Sequence, residues 1–123
     1  MQAQTILIAG PYRSGTGGDP VLIERNLKAL EQAALAVYNK GHFPLIGEWA
    51  ALPLAHATGA ANPEAIPQAF LYEVAQRMLR QCDAVYRISG ESRGADMDVE
   101  TAKQLGLPVY VDLADIPVGA RST

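Results

Sequence analysis

The stretch Thr5–Ala9, TILIA, runs straight into Gly10-Pro11-Tyr12-Arg13-Ser14-Gly15, and this junction decides the fold. A short, continuous, β-rich apolar run reads as a strand buried on both faces, because a half-exposed strand would alternate with polar residues. Gly10 and Pro11 end it, and a glycine-rich loop follows. Asp19-Pro20 then opens a helix, with Asp19 as the cap and proline in the first turn, where its missing N–H is no loss. Ile23, Leu27, Leu30, Ala34 and Val37 form one apolar face that lasts until Gly41 stops the helix.

Working outward, His42–Ile46 (HFPLI) is a second strand, and Pro44 predicts an edge position. Gly47 to Asn62 holds small residues and Trp49 without firm periodicity, and reads as a loop with one short helical piece. Asn62-Pro63 is expected to start the next helix. There Ile66, Phe70, Val74 and Met78 form one line and Leu71, Ala75 and Leu79 the adjacent one, predicting a broad buried face. Ala84–Ile88 is a third strand with Asp83 at its entrance. Ser89 to Arg93 is a polar turn, a third helix runs from Gly94 or Ala95 to Leu105 before Gly106, and Leu107–Val111 is a fourth strand. Strands alternating with helices call for a parallel sheet with right-handed crossovers. The expected architecture is therefore one α/β domain over residues 1–123, a three-layer sandwich around a flavodoxin- or Rossmann-like parallel sheet of four to five strands. Such sheets bind ligands beyond the carboxyl ends of the strands, where the strand order reverses. The site is expected between the loops Gly10–Gly18 and Ser89–Asp98.

Composition narrows the partners. With 49% hydrophobic and 19% charged residues among 123, the chain is that of a folded globular domain. A formal net charge of −3 argues against a nucleic acid polymer as partner, though not against a small anion held by local arginines. Cys82 is the single cysteine, which rules out an intramolecular disulfide and a cysteine-based metal site. His42 and His56 have no matching acidic pattern, so no metal is expected. No basic leader and no long apolar run is present, so a cytoplasmic location away from membranes is the expectation.

Three constellations could carry chemistry. Gly10-Pro11-Tyr12-Arg13 offers close backbone approach, a phenol and a cation, or else merely a flexible connection; it is neither a P-loop nor a dinucleotide fingerprint. Ser89 to Glu100 runs a polar turn into a helix whose first turns carry Asp96, Asp98 and Glu100. A helix start suits an anion, and the acids could equally just complement the helix dipole. Asp98 and Glu100, two apart, should not both face one cleft. Asp83 is the third, and could simply satisfy amides in its turn. Cys82 and His42 read as structural, and Glu48 with Trp49 as pocket wall or subunit contact.

Taken in order, the opening ILIAGPY, Asn26 in the first helix, Gly41-His42-Phe43-Pro44, Cys82-Asp83-Ala84-Val85-Tyr86 and Ser92-Arg93-Gly94-Ala95 resemble the nucleoside 2-deoxyribosyltransferase-like superfamily over roughly residues 5 to 111. Within it they are most similar to the branch known as domain of unknown function 4406. The resemblance implies a flavodoxin-like fold, usually a homo-oligomer (dimer or tetramer), that binds nucleosides or nucleotides without a cofactor. Active members cleave the N-glycosidic bond through a glutamate that forms a covalent glycosyl intermediate. Counting six residues on from Ser92, or eight back from Gly106, lands on Asp98, an aspartate where the family has glutamate. The resemblance further implies Tyr12 as the residue orienting the nucleophile, Asp83 as the acid associated with the base, and Ser92 as a sugar or 5′-phosphate contact. Gly10 and Gly94 complete the binding loops, and Arg13 and Arg93 are added as phosphate partners on chemical grounds. The expected function is a nucleoside or nucleotide N-glycosidase or deoxyribosyltransferase. Because an arm shorter by about 1 Å can cost on the order of 10²-fold in rate, a non-catalytic nucleotide-binding or signalling module is the alternative. An assembly protein using Trp49 and the alanine-rich loop is a third.

Overall fold

A computed structural model describes residues 2–59 and 65–119. Its regular elements are β1 (Thr5–Ala9), α1 (Pro20–Asn39), β2 (Phe43–Ile46), α2 (Gly47–Ala57), α3 (Gln68–Leu79), β3 (Ala84–Arg87), α4 (Arg93–Gln104) and β4 (Val109–Tyr110). The strands form one parallel sheet in the order β2-β1-β3-β4, with Leu7 paired to both Leu45 and Val85. The chain steps outward one way from β1 to β2 and the other way from β3 to β4, so the order reverses between β1 and β3. Pro44 lies on the edge strand β2, where its missing N–H has no further neighbour to serve.

The pleat of β1 explains why its apolar run is unbroken. Ile6 and Ile8 point to one side, into a cluster with Leu30, Ala34 and Val37 of α1, Ile46, Ala84 and Ile116. Leu7 and Ala9 point to the other, among Leu79, Cys82, Val85, Ala95 and Ala102 under α3 and α4. Each large aliphatic side chain so buried contributes roughly 1.5–3 kcal/mol, and β1 serves both layers. The three-layer α/β sandwich with a parallel sheet is thus as read, with four strands among the described residues.

Helix α1 carries the expected caps. Asp19 accepts a hydrogen bond from the Val21 amide at 2.9 Å, and Pro20 is the first helical residue. Gly41, at φ +94°, turns the chain out of the helix, and a Cβ there would lie 2.7 Å from the Gly119 carbonyl oxygen.

Three expectations change. Gly47–Ala57 is a helix of eleven residues and no loop. Its buried line is Gly47, Ala51 and Ala55 at steps of four, so small side chains do the packing and Pro53 interrupts the pattern. Helix α3 begins at Gln68 after Pro67, while Asn62 and Pro63 fall outside the described residues. Only Leu79 of α3 is fully buried, and Phe70, Val74 and Met78 line an open apolar groove with Leu45, Ala50 and Leu54. The chain after β4, to which the sequence assigns no element, packs back on the rest of the protein. A 3₁₀ turn at Leu113–Asp115 leads it back to the start of β2, where Lys40 Nζ donates to the Leu113 and Ile116 carbonyls at 2.6 and 2.8 Å. Among the described residues no helix is long and apolar enough to cross a membrane.

Candidate functional site

Beyond the carboxyl ends of β1, β2 and β3, four segments converge on one cleft of about 590 Å³, part of it open to solvent. They are the loop after β1, the first turns of α2 and α4, and the sheet-proximal face of α3. This is the crevice the strand reversal creates.

The loop after β1 is built, not slack. Asn26 of α1 donates to the Tyr12 carbonyl at 2.8 Å and to the Ser14 carbonyl at 3.4 Å. Buried Thr16 donates its hydroxyl to the Arg13 carbonyl at 2.6 Å and accepts the Gly18 amide at 3.2 Å. These bonds bend the loop so that Tyr12, Arg13 and Ser14 line the cleft, with Tyr12 only 7% exposed. Gly10 also borders the cleft, but its missing side chain serves packing. A Cβ there would lie 2.8 Å from Ile88 Cδ1 and closer still to Cγ1.

The loop after β3 is braced by Arg87, whose guanidinium donates to the Ile88 carbonyl, to the Gly90 carbonyl at 2.9 Å and to Asp96 Oδ1 at 3.0 Å. Asp96 is thereby a bracing residue on the outer side. Ser92 caps α4, accepting the Ala95 amide at 3.1 Å. That bond leaves its hydroxyl proton uncommitted on the cleft wall, since Ser92 lines the cleft beside Gly94. Gly94 allows α3 to come close: a Cβ on it would stand 2.7 Å from Tyr72 Cε1.

Asp98 lies in the second turn of α4, 7% exposed, and lines the cleft. Gln76 of α3 donates to its Oδ1 at 2.9 Å, and Thr101, one turn further along α4, donates to the Gln76 carbonyl oxygen at 2.7 Å. Thr101 therefore sets which end of the amide faces the carboxylate. Burial pushes the Asp98 carboxyl up to about 7; the Gln76 bond pulls the other way, the Glu48 charge adds to the rise and Arg87 opposes it. Glu100, two residues on, is exposed.

The cleft holds a second acid. Glu48, in the first turn of α2, lines the same cavity, and burial raises its carboxyl against the opposing backbone hydrogen bond. Of the two readings the sequence left open for Glu48, pocket wall or subunit contact, the cleft lining matches the first; an acid directly after a strand, at the start of a helix, was the available signal for more. Trp49 beside it is 44% exposed and stays off the cleft wall.

Of the residues expected at the site, Tyr12, Asp98, Gly10, Arg13, Ser92 and Gly94 come together, and Asp83 and Arg93 do not. Asp83 precedes β3, which puts it at the amino end of a parallel sheet, the far side from the cleft. There it exchanges two hydrogen bonds with Thr5, accepting at Oδ2 from the Thr5 amide and donating its own amide to the Thr5 carbonyl, both at 2.8 Å. Arg93 is exposed in the first turn of α4, outside the cleft lining. Cys82 is buried, its thiol donating to the Met78 carbonyl and pushed up to about 11 by burial, so it is no nucleophile. Among the described residues no group of three His, Cys, Asp or Glu side chains gathers as metal ligands would.

No family model and no curated protein matches the chain. Among solved structures it is similar to a 2-deoxyribosyltransferase from the psychrotolerant bacterium Bacillus psychrosaccharolyticus. The likeness has a TM-score of 0.62 over 96% of this chain and 99% of that one, at 16% sequence identity. At that identity the likeness is one of fold: the parallel sheet and its flanking helices.

Proposed function

We propose that the chain cleaves, or transfers at, the N-glycosidic bond of a nucleoside or nucleotide, with Asp98 as nucleophile. One observation carries the reading. A nearly buried carboxyl sits on the wall of the strand-reversal crevice, anchored at one oxygen by Gln76. A carboxylate held this way can stabilise an oxocarbenium-like transition state and then bond to the anomeric carbon. Tyr12 lines the same cleft, and its part in this reading is to orient the nucleophile. The Ser92 hydroxyl, the Arg13 guanidinium and the backbone at Gly10 and Gly94 supply polar contacts for a sugar or a 5′-phosphate. Asp83 and Arg93, outside the cleft, take no part. The proposal extends to the domain of unknown function 4406 branch and to a cytoplasmic homo-oligomer that needs no cofactor.

The test is release of free base from a panel of deoxynucleosides and their 5′-monophosphates, followed by chromatography. Wild-type protein is expected to release base from one class, and Asp98→Asn to lose at least 10³-fold while keeping its circular dichroism spectrum. Equal rates in the two proteins would remove Asp98 from the mechanism. A second reading, a nucleotide-binding module without turnover, is favoured by the short aspartate arm. It predicts a thermal shift with a nucleotide and no base released on any incubation.

A further inference from the structure

We infer that Glu48 is the acid–base residue of this cleft, protonating the leaving base and then activating water; the inference rests on the N-glycosidic reading above. A nucleoside base is a poor leaving group as an anion, so its departure calls for a proton that the nucleophile cannot supply. Sequence reading gave that task to Asp83, which lies at the wrong end of the sheet. Among the described residues, the ionisable side chains that line the cleft are Tyr12, Arg13, Glu48, Tyr72 and Asp98. A guanidinium does not release its proton, and phenols are far weaker acids than carboxyls. Glu48 is what remains.

Geometry also divides the labour between the two carboxyls. They reach the cleft from opposite sides of β1, Glu48 from the helix after β2 and Asp98 from the helix after β3. Each is withdrawn from water and the Glu48 charge bears on Asp98, so the pair holds one proton more readily than two charges. Gln76 aims an N–H at Asp98, and Arg87 favours the same anion. At Glu48 the bond that opposes the rise is to backbone. The form of the pair that can react is the one with the proton on Glu48 and the charge on Asp98, and the Gln76 N–H favours it.

The bond changes balance with water as the second reactant. The Asp98 carboxylate forms a bond to C1′ as the C1′–N bond breaks, its electron pair goes to the base, and Glu48 delivers the proton. The Glu48 carboxylate then removes a proton from water, whose oxygen bonds to C1′ as the C1′–Asp98 ester bond breaks. Free base and sugar result, with both carboxyls restored.

Halogenated bases leave with less help from a proton, which supplies the test. Wild type and Glu48→Gln are compared on 2′-deoxyadenosine and 2′-deoxyuridine against 2-fluoro-2′-deoxyadenosine and 5-fluoro-2′-deoxyuridine, each as nucleoside and 5′-monophosphate. The variant is expected to lose on the order of 10²–10⁴-fold on the parent compounds, and at least roughly tenfold less on the fluorinated ones. Equal losses on both, or none on either, overturn the assignment and leave Asp98 standing. A wild type that cleaves none of them overturns the N-glycosidic reading itself, and this inference with it. Should Glu48→Gln fail to fold, Glu48→Asp keeps an acid on a shorter arm, and its loss too must be the greater on the parent compounds.

Discussion

The two ends of the sheet hold similar side chains and use them in opposite ways. At the amino end, polar groups are matched to backbone. His42, 3% exposed, accepts the Gln4 amide at Nδ1 (3.0 Å), and its Nε2 lies 2.5 Å from the Pro117 carbonyl oxygen. Asp83 is occupied by Thr5, and Tyr110 reaches Gln4 Oε1 at 3.3 Å. At the carboxyl end, Asp98 and Glu48 face a cleft, Asp98 buried with a side-chain amide as its partner and Glu48 half-buried. A carboxyl matched to an amide holds two strands together. A carboxyl buried beside another carboxyl keeps reactivity in reserve, at the expense of fold stability.

That contrast is open to attack at several points. The largest effect belongs to Asp98, and pH reads it out. With its carboxyl near 7 and the anion as the attacking species, cleavage should rise from pH 5 towards about 7, and fall again at higher pH as Glu48 gives up the proton it must deliver. Stability runs the other way. The folded carboxyl lies above its unfolded value, so its contribution is complete below about pH 4 and is lost as pH rises through about 7. Denaturant melts at pH 5 and pH 8 should show Asp98→Asn gaining on wild type at the higher pH, by a few kcal/mol at most. Next comes Gln76→Leu, which strips the nucleophile of a hydrogen bond to a charged group. A loss of roughly 10- to 150-fold in kcat should accompany an alkaline shift of the pH–rate midpoint; an unmoved midpoint would reduce Gln76 to a packing role.

At the other end, His42→Ala leaves the Gln4 amide and Pro117 carbonyl without partners and should cost about 1–3 kcal/mol in urea unfolding. Rate per folded molecule should not change. Asp83→Asn is expected to be the mildest. Its Oδ1 can still accept from Thr5, so stability should fall by no more than about 1 kcal/mol, with no effect on turnover. A large loss of turnover there would erase the distinction between the two ends.

Much of this was readable without coordinates, for identifiable reasons. Strand β1 announces itself because both its faces are buried, which leaves no polar interruption. Helix α1 does so through its large apolar residues at helical spacing and through Asp19-Pro20. Helix α2 stayed hidden because hydrophobic periodicity is carried by large side chains, whereas here Gly47, Ala51 and Ala55 make the contact. Glu48 was therefore legible only as pocket wall or subunit contact, with no element to aim it. Asp98 was found by counting within a motif, yet Gln76 and Asn26, which fix the site from other helices, depend on contacts that spacing along the chain does not encode. The assignment of Asp83 could have been avoided. An acid that precedes a strand of a parallel sheet lies at the amino end, away from the crevice that the same topology predicts.

The returning segment after β4 bears on how the molecule comes into being on the ribosome. Ile116 is 1% exposed in the cluster beneath α1, and His42, Lys40 and Gly41 all find partners between Leu113 and Gly119. The α1 layer made early in synthesis thus waits for nearly the last described residues before its interior closes. Such late, sequence-distant contacts slow folding and prolong exposure of apolar surface. A chain stalled before Leu113 would leave the underside of the α1 layer open.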